Sequence, residues 1–178
     1  MILLIKIYNK RFHYYEFIKP IEDVLKKNNI KFQSIHYKNV SEKLLNKAKK
    51  IIISGTSLKD NGFIKDIDRF NWIKKYKKPI LGICGGMHIL GLVYNGELKK
   101  KQEIGFTNIE LKQEFLGVLG KIEVYELHNY YVISKEFEVF GRSKYCPQAV
   151  KHKKNPFFGV LFHPEARNKY LIVNFVNL

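Results

Sequence analysis

The residues best suited to chemistry are a cysteine, a histidine and a glutamate at the ends of two apolar segments. Cys84 lies in "PILGICGGMHILGL", among glycines at the junction of an apolar run and a helix-like pattern. His163 and Glu165 lie in "GVLFHPEARN", directly after another apolar run. A histidine can take a thiol proton and return it to a leaving group, while a carboxylate orients the ring. The three residue types therefore indicate nucleophilic catalysis by a cysteine.

The glycines around Cys84 favour this interpretation. A nucleophile on a sharp strand-to-helix turn needs small neighbours, because its strained backbone brings other groups close. Gly82, Gly85 and Gly86 meet that requirement. At the start of the following helix, free N–H groups and the helix dipole favour a thiolate and can bind an oxyanion. An isolated cysteine is more often a small buried apolar residue, so the interpretation depends on a base at another strand end.

Alternating strand-like and helix-like segments predict an α/β fold around these residues. The strand-like segments are "ILLIKIY", "IKFQSIHY", "KKIIISG", "KPILGIC" and "FFGVLFHP", and the helix-like segments are "YYEFIKPIEDVLKKNN", "VSEKLLNKA", "IKDIDRFNWIKKY", "GMHILGLVYN" and "RNKYLIVNFVNL". Apolar strands that alternate with helices pair in parallel, with helices on both faces. Functional residues in such folds gather at the carboxyl ends of the strands. "IIISGTS", "ILGICGG" and "VLFHPE" lie at three such ends.

The part of the chain from Glu103 to Val160 has a different pattern. Its segments are short, partly alternating and separated by glycines or polar turns, which predicts antiparallel or mixed strands. We expect these strands to form an additional small sheet. There is no internal repeat and no linker-like stretch, so residues 1–178 are predicted to form a single domain.

The strong positive charge does not by itself indicate a nucleic-acid partner. The net charge of +16 comes from 32 lysines and arginines against 16 acidic residues. The lysines occur in short clusters along the whole chain, and no zinc-finger spacing, RNA-binding signature or basic arm accompanies them. No segment has the length of a membrane span, and "MILLIKIYNK" is too short and too soon charged for a signal peptide. We therefore expect a cytoplasmic protein with no membrane partner, and solvated lysine faces are favoured over a nucleic-acid partner.

The remaining cysteine and histidines predict no cofactor or metal site. Two cysteines in a chain of this size are expected to be free thiols. Cys146 precedes Pro147 and has no flanking glycine, which favours a structural thiol. The other histidines lack the spacing of metal ligands such as H-E-x-x-H.

In its motifs and their order, the chain resembles the class I, or triad, glutamine amidotransferases. "GICGGMH" followed by "FHPE" is similar to the two catalytic motifs of that family. "IIISGT" resembles its oxyanion strand, "EIGF" a strand motif after the nucleophile helix, and "ELHNYYV" its glutamine-binding strand pair. The C-terminal third, from "CPQAVKH" to Asn174 and Phe175, is also similar. The resemblance implies a flavodoxin-like fold and covers nearly the whole chain.

The resemblance also implies roles for individual residues. Cys84 would be the nucleophile, His163 the general base and acid, and Glu165 its orienting carboxylate. The remaining site residues fall into two groups. The oxyanion hole would use the N–H of Gly85 with that of Thr56 or Gly55, and glutamine would be bound by His88, Leu127, Asn129 and Tyr130.

The implied reaction is hydrolysis of glutamine to glutamate and ammonia through a cysteinyl thioester, with the ammonia delivered to a separate synthase. GMP synthase is one candidate, and anthranilate, aminodeoxychorismate and imidazole glycerol phosphate synthases are others. Three positions depart from the family pattern: Thr56 replaces a second glycine, while His88 and Leu161 replace the usual glutamines.

Two other functions remain open from the sequence. A related cysteine hydrolase could act on a γ-glutamyl amide. A peptidase-like relative is disfavoured, because those proteins place a histidine immediately after the cysteine and here Gly85 follows Cys84. The same fold could also serve as an inactive binding or regulatory module, and RNA binding driven by the positive charge belongs to this alternative. Retention of Cys84 together with His163 and Glu165 argues against that loss of activity.

Overall fold

The computed structural model describes residues 1–178 as one mixed nine-stranded sheet covered by helices on both faces. The strands are β1 (Ile2–Lys6), β2 (Phe32–His36), β3 (Lys50–Ile53), β4 (Ile80–Ile83), β5 (Glu97–Phe115), β6 (Val118–Ile133), β7 (Phe137–Arg142), β8 (Pro147–His152) and β9 (Phe157–Val160). The α-helices are α1 (Lys19–Lys27), α2 (Glu42–Lys47), α3 (Gly62–Lys65), α4 (Gly85–Val93) and α5 (Lys169–Asn177). A π-helical turn, Tyr14–Ile18, precedes α1, and 3-10 segments span Tyr37–Asn39 and Ile67–Lys75.

The strands follow the order β2-β1-β3-β4-β9-β8-β7-β5-β6 across the sheet. The first five of these strands pair in parallel, and every later neighbour pairs antiparallel. The flavodoxin-like α/β fold expected from the sequence is confirmed by this parallel half. The antiparallel strands do not form a separate sheet, because β8 pairs directly with β9, with Ala149 opposite Val160.

The core consists of two apolar layers, one on each face of the sheet. Side chains of successive strand residues point to opposite faces, so Leu4 and Ile52 pack with α1 and α5. Leu3 and Ile53, next to them in sequence, pack instead with α2, α3 and α4. The fully apolar strands are therefore buried on both faces, as parallel strands require.

Two segments differ from the sequence-based expectation. The sequence predicts one helix over 64–76, but α3 ends at Lys65 and a 3-10 segment follows. Phe70 and Ile73 are buried there, and their spacing of three matches the 3-10 repeat. The hairpin of β5 and β6 is also longer than expected, because β5 begins at Glu97. None of the helices combines the length and the apolar character that crossing a membrane requires.

Candidate active site

Cys84 occupies a strained turn between β4 and α4. Its φ of 49° and ψ of −103° lie outside the regions that L-residues ordinarily adopt. Its N–H donates a hydrogen bond of 2.7 Å to the carbonyl of Val160 at the end of β9. A Cβ at Gly82 would lie 2.5 Å from the carbonyl oxygen of Gly86, so the turn closes only around small residues. This is the strand-to-helix turn that the glycine pattern predicts.

His163 and Glu165 form a buried pair beside this turn. His163 Nδ1 lies 2.8 Å from Glu165 Oε1, and both side chains are about as buried as core residues. The N–H of His163 donates to the carbonyl of Tyr125, which fixes the histidine loop against β6. His163 Nε2 is buried and has no hydrogen-bond partner. The carboxylate therefore fixes one ring nitrogen and leaves the other free to exchange a proton.

The electrostatic surroundings favour a charged His163. Burial alone would lower the pKa of the imidazole, because it penalises the charged form. The negative charges of Glu165 and of the Cys84 thiolate act in the opposite direction and raise this pKa well above its ordinary value. An imidazolium at this position can donate its proton to a leaving group and stabilise a neighbouring thiolate.

Gly55 is in contact with both Cys84 and His163. A Cβ at Gly55 would lie 2.6 Å from His163 Cε1 and 3.4 Å from Cys84 Cβ. The turn after β3 therefore lies against Cys84 and His163 at once. Because β3, β4 and β9 are consecutive neighbours in the parallel half of the sheet, their carboxyl ends meet at this point.

Cys84 also lines a narrow pocket on the side of α4. Its wall contains Thr56 and Gly85, two of the three residues predicted for an oxyanion hole. The N–H groups of Gly55 and Thr56 donate no hydrogen bond to a backbone carbonyl. Gly85 is the first residue of α4, so its N–H has no partner within the helix. Residues with free N–H groups therefore line the pocket together with Cys84.

The four residues predicted to bind glutamine line the same pocket: His88, Leu127, Asn129 and Tyr130. Cys84 Sγ lies 3.7 Å from the carbonyl oxygen of Leu127. Asn129 Nδ2 donates to the carbonyl of Leu58 at 3.2 Å, which connects the two walls of the pocket. The four residues thus lie around the thiol in a pocket whose open volume is about 10 Å³.

His88 is held as a neutral hydrogen-bond donor. Its Nε2 lies 3.0 Å from the carbonyl oxygen of Tyr130, so this nitrogen carries the proton. Complete burial lowers the pKa of His88 to about 4, despite that hydrogen bond. A neutral imidazole can donate to Tyr130 as the amide of a glutamine would, which accounts chemically for its presence at this position.

A second and wider cavity of about 580 Å³ opens beside His163. His163, Glu165 and Leu127 belong to its wall, together with Phe17 and Tyr125. The ring of Phe17 packs against that of His163 at a centroid distance of 5.3 Å. Sequence reasoning does not single out Phe17 or Tyr125, because both occur in segments whose apolar pattern is that of ordinary core residues.

Comparison with known proteins identifies the family. Residues 13–171 match the model of the glutamine amidotransferase class-I family. The chain belongs to this family. It is similar to a subunit of the glutamine-hydrolysing GMP synthase of Pyrococcus abyssi, with 34% identity over 69% of each chain. The corresponding subunit of Pyrococcus furiosus is 36% identical over 67% of each chain.

Solved structures support the fold of this glutamine amidotransferase chain. A protein of Thermoplasma acidophilum described as a GMP synthase subunit superimposes with a TM-score of 0.86 and 21% identity, covering 99% of this chain and 92% of that one. A glutamine amidotransferase of Thermotoga maritima gives a TM-score of 0.73 with 17% identity, covering 99% and 84%. At these identities the likeness is one of fold.

Proposed function

We propose that this chain is the glutaminase component of a two-subunit synthase, and that Cys84, His163 and Glu165 carry the reaction. The observation that supports this most directly is the meeting of a strained cysteine turn with a buried histidine–carboxylate pair at adjacent strand ends. Family membership makes a glutamine amidotransferase the relevant class of enzyme.

In the first half of the reaction, the thiolate of Cys84 attacks the side-chain carboxamide carbon of glutamine. The carbonyl oxygen becomes an oxyanion, which the N–H groups of Gly85 and of Thr56 or Gly55 stabilise. His163 donates the proton that it took from the thiol to the departing nitrogen. Ammonia leaves, and the glutamyl group remains as a thioester on sulfur.

In the second half, His163 takes a proton from water, and the resulting hydroxide attacks the thioester carbon. The carbon–sulfur bond breaks, glutamate is released and the thiol is regenerated. Glu165 keeps Nδ1 protonated throughout, so that Nε2 is the nitrogen that exchanges protons. The pocket residues His88, Leu127, Asn129 and Tyr130 hold the amino-acid end of the substrate.

The ammonia acceptor is proposed from the relatives. Both Pyrococcus proteins are named as one subunit of GMP synthase, which implies that a second exists. We propose that the chain delivers ammonia to such a synthase partner. With the synthase's nucleotide acceptor and ATP supplied, a mixture of the two proteins should form GMP with glutamine as the nitrogen source, whereas the synthase partner alone should require added ammonia. If glutamine did not support GMP formation, the ammonia acceptor would be a different synthase.

Labelling with 6-diazo-5-oxo-L-norleucine, a glutamine-shaped electrophile, tests the glutaminase proposal itself. We expect one adduct by intact mass, located on Cys84 by peptide mapping, and none in Cys84→Ala. An excess of glutamine should slow the labelling, because both ligands occupy one pocket. Labelling at Cys146, or labelling insensitive to glutamine, would contradict the proposal. The assay is run with and without the synthase partner, since the Asn129–Leu58 hydrogen bond narrows the pocket of the isolated chain.

A further inference from the structure

A second group of polar side chains is buried in the antiparallel half of the sheet. Its members come from three strands or their ends, and the proposed glutaminase reaction uses none of them: Glu103 on β5, Glu126 and His128 on β6, Cys146 just before β8, and Gln148 on β8. The side chain of His128 is completely buried, and those of Glu126 and Glu103 are 1% and 8% exposed. Cys146 and Gln148 are completely buried.

The potential ligand atoms of three members, Glu103, His128 and Cys146, lie close together. Glu103 Oε2 lies 3.0 Å from Cys146 Sγ and 3.4 Å from His128 Nε2. The ligand atoms of these three residues all lie within 4.8 Å of one another. Glu126 Oε2 lies 3.3 Å from the same His128 nitrogen. In a tetrahedral zinc site the ligand atoms are about 3.3 to 3.8 Å apart, as follows from the usual bond lengths.

The orientation of His128 suits a metal ligand. Its Nδ1 lies 3.2 Å from the carbonyl oxygen of Lys101, so Nδ1 carries a proton and donates it there. Nε2 then presents its lone pair to the carboxylates of Glu103 and Glu126. Metal-binding histidines are commonly fixed in this way by a backbone carbonyl. The Gln148 amide nitrogen is 3.5 Å from Nε2, so the lone pair faces one distant donor and two carboxylates, which a cation between them would pair.

Unpaired oxygen atoms supply an independent indication. Neither carboxylate oxygen of Glu126 accepts a hydrogen bond, although the residue is 1% exposed. The amide oxygen of the buried Gln148 also has no donor. Buried carboxylates are costly unless they are paired or bound to a metal. Glu126 Oε2 therefore faces His128, at 3.3 Å from its Nε2, with its ligand capacity unused.

We propose that Glu103, His128 and Cys146 bind a zinc ion, with Glu126 as the fourth ligand. A thiolate and an imidazole favour zinc over magnesium or calcium, which prefer oxygen ligands. Four protein ligands leave no open position, so the ion is structural. Binding deprotonates the thiol, and the proton passes to solvent. Hydrogen bonds from Ser143 and from the Gln148 amide orient the Glu103 carboxylate.

A zinc ion at this site would hold three strands together. It would connect β5, β6 and the start of β8 at one point. His128 is flanked in sequence by Leu127 and Asn129, which line the pocket beside Cys84. A metal that fixes His128 therefore also fixes the wall of that pocket.

Metal titration of the full chain tests this proposal without any activity assay. Protein treated with a chelator is titrated with Zn²⁺ against a chromophoric competitor, and separately with Co²⁺. We expect one tightly bound equivalent and a thiolate-to-cobalt charge-transfer band. Cys146→Ser should abolish the band, and both it and His128→Gln should weaken zinc binding about 100-fold or more. Cys84→Ser is the matched control and should retain both properties.

Three outcomes would overturn the proposal. A band lost in Cys84→Ser and kept in Cys146→Ser would assign the metal to the nucleophile. Zinc binding unchanged in His128→Gln would exclude the cluster. The absence of tight binding by the folded wild-type chain would mean that protons alone hold the carboxylates together. X-ray absorption at the zinc edge of the Cys84→Ser protein gives a further test, since one sulfur neighbour is expected and none would refute the site.

Discussion

Gly55 lies so close to His163 that a methyl group on its Cα would be 2.6 Å from Cε1 of the imidazole ring and 3.4 Å from Cβ of Cys84. The turn after β3 therefore limits how closely the side chains of Cys84 and His163 can approach it. Because the contact is with the side of the ring, a larger residue at position 55 must displace His163 or the turn itself.

Gly55→Ala tests this relationship. We expect glutaminase kcat/KM to fall about 100-fold, since a displacement of about 1 Å at a reacting group can have that effect. The thermal unfolding midpoint and the rate of labelling of Cys84 are measured alongside. Gly120→Ala is the control for backbone strain away from the thiol: Gly120 has a φ of 86° and a Cβ there meets nothing within 4 Å, so this variant should lose stability but keep its activity. Equal activity in the two variants would show that the Gly55 contact is not needed.

Glu165→Gln tests the carboxylate of the buried pair. The charge of Glu165 helps to raise the pKa of His163, so its removal should lower that pKa and destabilise the imidazolium. We expect kcat to fall about 10²- to 10⁴-fold, the range of general acid–base contributions. A wild-type rate in Glu165→Gln would show that another group orients the ring.

The raised pKa of His163 also predicts how stability depends on pH. Below about pH 6.5 the ring is protonated in both the folded and the unfolded chain, so its stabilising contribution is complete. That contribution is lost as the pH rises through the higher folded pKa. The free energy of unfolding of the wild type, relative to His163→Gln, should therefore decline from pH 6.5 upward. Urea unfolding at a series of pH values measures this difference, and an increase with pH would contradict the assignment.

His88 should show the opposite dependence, because burial lowers its pKa to about 4. Between pH 6.5 and 4 the unfolded chain binds a proton that the folded chain does not, so the wild type loses about 3 kcal/mol relative to His88→Gln. Glutamine can still donate to Tyr130, so this variant should retain activity. His88→Ala removes that donor and should raise the KM for glutamine. If the free energy of unfolding depended on pH identically in the wild type and His88→Gln, His88 would bind a proton as readily in the folded chain as in the unfolded chain.

The sequence predicts the parallel half of the fold because its strands are apolar throughout and alternate with helices. It also brings Cys84 and His163 together correctly, since both follow predicted strands whose carboxyl ends share one edge. The catalytic roles of these residues remain predictions, as do those of the pocket residues. Their positions around one thiol are what the structure adds.

The buried cluster around His128 is inaccessible to sequence reasoning for a physical reason. Its members are brought together by antiparallel pairing, with Glu103 opposite His128 after a register shift between Lys100 and Glu103. A bulge of that kind cannot be located from residue spacing, because it changes which side chains face each other. Cys146 accordingly appears in the sequence as an isolated structural thiol.

The strained backbone of Cys84 leads to a final prediction about stability. At a φ of 49° glycine is less strained than alanine, so Cys84→Gly should be more stable than Cys84→Ala by about 1 to 2 kcal/mol, although neither variant is active. Urea unfolding of both variants measures the difference. The same pair at Cys146, whose φ is not positive, is the control and should favour alanine by about 0.4 to 1 kcal/mol. If alanine were also preferred at position 84, the turn would not be strained, and the presentation of the thiol would need another explanation.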